Sequence, residues 1–369
     1  MEVNNYKYQL FNNYIKHIYK FQLTKILNFI DIFGLIIIVF PEKDGFLTPK
    51  RLLLLNIFVL IYIIIAVFIG KQYHYITKPI NTFIEHTYHI NAIAINNNET
   101  MLSSCGGETI LWDAQNRNVI SRIPSDGWVG NIKFSYDNKY LVILNGKKGK
   151  VSLFSLQDFS VFEIPDVILG KSRGLAAYND IVMVSSANGI VTVLDIQNKL
   201  LQKQYKVSEY EIRKIVATDN GKIACGDNNG AVYYSDHFLQ EEFSPIFRLP
   251  KNELIRDVVF SPNEKILGFT DSGGYLTLFD LDSKISRSVK AHNGHAICLA
   301  FSPAGNIVAT GGQDERIRLW NVKGKEPELL FEIRGHTDDI TDLEFSKANI
   351  LWSASRDAKV MSWDLRGID

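Results

Sequence analysis

GHTDDITDLEFSKANILWSASRDAKVMSWD, residues 335–364, is the stretch on which the fold turns. An apolar strand follows His336, a second apolar strand ends in hydroxyls, and a turn bearing Asp357 leads to a third strand closing at Trp363-Asp364. The stretch before it, AHNGHAICLAFSPAGNIVATGGQDERIRLWN over 291–321, has the same order. Comparable strand ends recur at Trp112-Asp113, Phe154-Ser155, Leu194-Asp195, Tyr234-Ser235, Phe279-Asp280 and Trp320-Asn321, separated by 42, 40, 40, 45, 41 and 43 residues up to Trp363. A fixed period of this length built from short strands predicts an all-β, seven-bladed propeller over 72–369, with four strands per blade.

The chain of 369 residues is 46% hydrophobic and 22% charged, enough for a large core. Forty basic residues balance forty acidic ones, which argues against nucleic acid as a partner, since phosphate binding needs a basic excess. Residues 1–71 hold eight of the Lys and Arg but four of the Asp and Glu, so the positive excess lies at the N-terminal end. Cys105, Cys225 and Cys298 stand in apolar strands without metal-ligand spacing, and are expected to be buried thiols in a reducing compartment.

That N-terminal end reads as a membrane anchor over 26–71. Residues 52–70, LLLLNIFVLIYIIIAVFIG, carry no charge, and Lys50-Arg51 and Lys71 flank them. As a helix they would reach about 28 Å, the thickness of a bilayer's hydrocarbon core. A second run, 26–40, contains Asn28 and Asp31 and is a candidate second span. Residues 1–25 place Phe11, Tyr14, Ile15, Ile18 and Tyr19 at helical spacing, as in an interfacial amphipathic segment. One span exports the propeller by the positive-inside rule, and two keep it cytoplasmic. The free cysteines favour a membrane protein with a cytoplasmic propeller.

The repeat motifs resemble those of the WD-repeat β-propeller family. What the resemblance implies is a structural hydrogen-bonding tetrad: His336, Ser353, Asp357 and Trp363 in the last repeat, and His292, Thr310, Asp314 and Trp320 in the sixth. The first repeat supplies His86, Ser103 and Trp112, but its turn is shortened to Gly106-Gly107 and has no Asp. Repeats two to five keep the alternation and turn glycines without the tetrad. The last repeat ends after its third strand, and KPINTFIEH before His86 has the pattern of an outer strand. Residues 80–84 are therefore expected to complete the last blade and remove an open edge.

Aligning the first strands on Thr341 gives Asn91, Gly130, Arg173, Arg213, Arg256 and Ile297. Arg173, Arg213 and Arg256 on consecutive blades form an arc suited to carboxylate or phosphate, unless each pairs locally with Glu211 or Asp257. The resemblance also marks His89, Trp128, His295, Gln313, Asp339 and Arg356 as partner-contact positions; Trp128 reads equally as packing between blades. The His86/His89 and His292/His295 pairs lack further ligands for zinc, so no metal or other cofactor is expected. The function expected is a membrane-anchored, non-catalytic platform for protein partners. The alternatives are an enzyme with its site in the channel and a reader of anionic lipid or phosphopeptide through the arginines. For the enzyme, the next register offers Ala92, Asn131, Gly174, Lys214, Asp257, Cys298 and Asp342, with only two carboxylates.

Overall fold

The computed structural model describes residues 74–125, 127–164, 170–237, 243–250 and 253–368. The chain divides into two units, 1–72 and 73–369. The expected membrane segments at 1–25, 26–40 and 52–70 lie outside the described residues. Among the described residues no helix is long and apolar enough to cross a membrane.

The described residues form seven sheets, antiparallel except for one added edge strand. The first blade contains strands Ala92–Ile95, Met101–Cys105, Glu108–Asp113 and Val119–Pro124. Five blades follow, with first strands at Val129–Phe134, Ser172–Tyr178, Ile212–Ala217, Ile255–Phe260 and Ala296–Phe301; the first four of these are four-stranded. The seventh contains Ile340–Phe345, Ile350–Ser355 and Val360–Asp364, and takes its outer strand from Asn81–Phe83. That strand pairs antiparallel with the last one, Asn81 opposite Ser362 and Phe83 opposite Val360. The ring is thus closed by a hydrogen-bonded strand from the other end of the sequence, which leaves the last blade without an open edge.

Sequence periodicity missed one strand. His74–Ile76 runs parallel to Glu328–Ile333 and adds a fifth strand to the sixth blade. A three-residue edge strand leaves no alternation long enough to recognise.

Within each blade, side chains alternate between the two faces and pack against the neighbouring blades. Ser135, Ser261, Ser302 and Ser346 shape the turns after four first strands, each accepting the amide hydrogen of the residue that opens the second: Tyr140, Ile266, Ile307 and Ile350. The junction of the seventh and first blades is aromatic. Phe83 packs edge-on against Trp112 with ring centres 5.1 Å apart, and lies 5.7 Å from Trp352.

Polar struts join the first strands around the channel. Asp257 accepts hydrogen bonds from Val258 N in its own blade and Leu299 N in the next, at 2.8 and 3.0 Å. Asp342 likewise accepts from Leu343 N and, across the closing junction, from Ile93 N at 3.0 Å. These two carboxylates are the pair in the channel register that the enzyme reading required, and here they hold blades together.

Phe83→Ala tests the closure. Removing this buried ring from between two tryptophans should cost about 3–5 kcal/mol, measured as a lower urea midpoint at unchanged pH.

Candidate functional site

The first strand of six blades contains a one-residue bulge. Register shifts fall between Val129 and Asn131, Ser172 and Gly174, Ile212 and Lys214, Ile255 and Asp257, Ala296 and Cys298, and Ile340 and Asp342. The extra residues are Gly130, Arg173, Arg213, Arg256, Ile297 and Thr341, the same register the sequence alignment singled out. A bulge leaves its residue out of the ladder and re-aims the side chain. The arginines therefore stand out of the pleat at one end of the channel.

Their surroundings form a connected chain of contacts. Trp128 is half-buried: its ring packs on Gly130 and Gly146, where a side chain at Gly146 would collide with it, and the Arg173 guanidinium lies 5.1 Å from the ring centre. Packing and partial exposure thus coexist at this residue. Arg173 Nε donates to Glu211 Oε1 at 2.9 Å, and Arg213 Nη2 lies 4.0 Å from Glu211 Oε2. Asn228, which sequence reasoning missed, receives Arg213 Nε and donates its own Nδ2 to Glu211 at 2.8 Å. Arg356 Nη1 pairs with Asp339 at 2.9 Å.

Arg256 differs from the other arginines. Its expected local partner, Asp257, is instead paired with Lys214 Nζ at 3.2 Å. Arg256 Nε is buried without an acceptor among the described residues. Burial, with Arg213, Arg356 and Arg173 nearby, pulls its pKa down to about 10, still protonated at neutral pH. His295 sits on the same side, with Nδ1 2.6 Å from Ser272 O, and Gln313 N donates to His295 O. His89 is exposed beside Gly106, where its carbonyl leaves no room for a side chain.

The channel itself is a cavity of about 530 Å³, lined by residues that include Lys133, Lys214, Asp257, Asp342 and Glu344. Burial opposes the charge on Lys214, but Asp257 and Asp342 more than offset it and raise the pKa. Among the described residues no cluster of three or more His, Cys, Asp or Glu is arranged to hold a metal ion. Cys105, Cys225 and Cys298 are free and buried, and burial pushes their thiols up.

The tetrads lie within the blades. His336 Nε2 is 2.8 Å from Ser353 Oγ and its Nδ1 2.9 Å from Asp357, while Trp363 Nε1 donates to Ser353 at 2.9 Å. His292, Thr310, Asp314 and Trp320 repeat the arrangement, with Arg318 added to Asp314 at 2.7 Å. The hydroxyls are fully buried and already shared by imidazole and indole, an arrangement for cross-linking strands.

The first blade needs a correction. His86 Nε2 and Trp112 Nε1 both meet Ser104 Oγ, at 2.7 and 2.8 Å; Ser103, the residue expected there, has a buried hydroxyl without a partner among the described residues. In the complete networks the hydroxyl stands two residues beyond the one opposite Trp, as Ser353 does beyond Leu351. Leu102 faces Trp112, so the matching residue is Ser104, and the shortened turn hides this in a linear alignment. The fourth blade has a substitute that sequence reasoning also missed. Ser208 Oγ donates to Asp227 at 2.7 Å, and Tyr233 OH lies 3.2 Å from the same carboxylate.

Seven blades, the first, sixth and seventh of them tied by a His–hydroxyl–Trp network, define a β-propeller. The sequence comparisons agree: the family described as "WD domain, G-beta repeat" matches residues 77–113, 283–321 and 327–364, so these three stretches of the propeller are WD repeats. It is similar to WD repeat-containing protein 1-B of Xenopus laevis, 26% identical over 49% of this chain and 31% of that protein. WD repeat-containing protein 1-A of the same frog is 23% identical over 78% of this chain and 48% of that protein. A putative BTB/POZ domain and WD-repeat protein of Acanthamoeba polyphaga mimivirus is 24% identical, over 66% and 51%. The chain thus spans about a third to a half of the length of these relatives.

Ser104→Ala should cost about 2–3 kcal/mol, because it orphans a buried indole and a buried imidazole together. Ser103→Ala should be neutral or slightly stabilising in the same urea titration. Acid should act through His86, whose buried Nδ1 has no partner among the described residues. Burial, then the charge of Arg122, lowers its pKa from 6.5 to about 4. The unfolded chain therefore takes up a proton that the folded one refuses. This contribution to stability is complete above about pH 6.5 and is lost as pH falls toward 4. His86→Gln should be less stable at pH 7 but show a shallower decline across that window.

Proposed function

We propose that the protein is a scaffold that binds protein partners across the channel mouth and is held at a bilayer by residues 52–70. The observation that carries the first part is the convergence of bulge residues. Arg173, Arg213 and Arg256 from three consecutive blades, with Trp128 before them and Asp339 and Arg356 beyond, gather side chains from five blades into one surface. A half-exposed Trp stacked on Arg is the kind of anchor that dominates interfaces. The WD-repeat family likeness supports binding over catalysis. The struts made by Asp257 and Asp342 give the channel carboxylates a structural task.

The second part rests on the sequence. The uncharged run at 52–70 has the length and flanking charges of a span, and a second span over 26–40 would put the propeller on the cytoplasmic side, which the three buried thiols suit. The full chain should stay in the pellet after alkaline carbonate extraction, and deletion of 26–70 should release it. Protease added to intact cells should spare the propeller and cut it only after lysis.

For the mouth, Trp128→Ala combined with Arg173→Ala should abolish recovery of crosslinked partners from the native membrane. Leu200→Ser with Leu201→Ser, on the outer strand of the third blade, should leave recovery unchanged. The reverse pattern would place the partner on the rim and remove this reading.

A further inference from the structure

We propose that the channel mouth takes an extended peptide by an anionic side chain anchored on Arg256. This names the partner chemistry of the scaffold reading and rests on it.

The argument starts from a charge census of the mouth. Four guanidiniums, on Arg173, Arg213, Arg256 and Arg356, face two carboxylates, on Glu211 and Asp339. Glu211 is taken by Arg173, Arg213 and Asn228. Asp339 is taken by Arg356. Arg256 is left over between them, with Nε buried and no acceptor among the described residues. The bulge positions that follow, Ile297 and Thr341, supply no charge. Thr341 Oγ1 is likewise buried and unpartnered.

A buried polar donor without a partner is costly, and a buried cation more so. Two buried polar atoms, Arg256 Nε and Thr341 Oγ1, are thus without partners among the described residues, and these six charged groups hold two more positive charges than negative. An oxyanion entering it would satisfy Arg256 by charge-assisted hydrogen bonds, which are short and strong for guanidinium with carboxylate or phosphate.

Shape selects the carrier of that anion. Both unpartnered atoms are buried, so reaching them takes a slender group such as a side chain on an extended peptide, and a flat bilayer surface does not fit. Trp128, stacked on Arg173 two blades away, offers an apolar surface for a neighbouring residue of the same peptide. Two surplus charges suit either a phosphoryl group or a pair of carboxylates.

Fluorescence anisotropy on the full chain in detergent tests the assignment with defined probes. These are a labelled peptide of alternating Glu and Gly, the same peptide with phosphoserine in place of Glu, and the same with Lys. The Glu or the phosphoserine peptide should bind, more weakly as salt rises, and the Lys peptide should not. Whichever binds more tightly identifies the anion. Arg256→Ala should weaken binding by about tenfold to a hundredfold, with Arg256→Lys in between. Equal affinities for the wild type and Arg256→Ala, or for acidic and basic peptides, would overturn the proposal. So would binding of free inositol phosphate with neither anionic peptide bound. If partner recovery still depends on Trp128 and Arg173 while peptide binding ignores Arg256, the scaffold reading stands and this one falls.

Discussion

Everything in this molecule depends on how the ring shuts. A propeller is a set of nearest-neighbour interfaces, and an open ring has two unprotected ends. Here the three residues Asn81–Phe83 add the outer strand to a blade whose other strands lie more than 250 residues later. The hydrogen bonds are few, but Phe83 also wedges between Trp112 and Trp352, so one side chain joins the strand pairing to the blade interface. Asp342 secures the same junction at the channel by accepting from Ile93 N. The ring is fastened at its rim and at its centre.

Closure gives the channel mouth its meaning. Each bulge turns one side chain out of the ladder, and only a closed ring brings those side chains to fixed mutual distances. Glu211 then serves two arginines and Asp339 a third, while Arg256 Nε has no acceptor among the described residues. The arrangement is preorganised, so a partner need not pay to assemble it. Deeper in the channel the polar groups are spent differently. Asp257 and Asp342 bond to backbone amides across blade boundaries, so their charge contributes to the frame.

Much of this was legible in the chain because period and parity are properties of strands. The spacing of strand ends gave seven blades. The Thr341 register marked the positions that the bulges later explained. What was hidden depended on local geometry. Ser103 looked right in a linear comparison, but a turn shortened before Trp112 moves the paired hydroxyl to Ser104. Asp257 follows Arg256 in the chain, yet adjacent residues on a strand face apart, and Lys214 from the preceding blade pairs with that carboxylate. The Ser208–Asp227–Tyr233 set performs a tetrad's task with unfamiliar residues. His74–Ile76 pairs with a parallel edge, which leaves no signature in so short a segment.

Hydrogen–deuterium exchange of the full chain tests the closure most directly. Backbone amides around the Asn81–Phe83 strand, including Ile80 N, which donates to Ser362 O at 2.7 Å, should be protected together with those of Val360–Asp364. The two segments should open as one unit, at a rate like that of the first strands. Fast exchange over residues 80–83, with Val360–Asp364 still protected, would contradict a ring fastened by this strand.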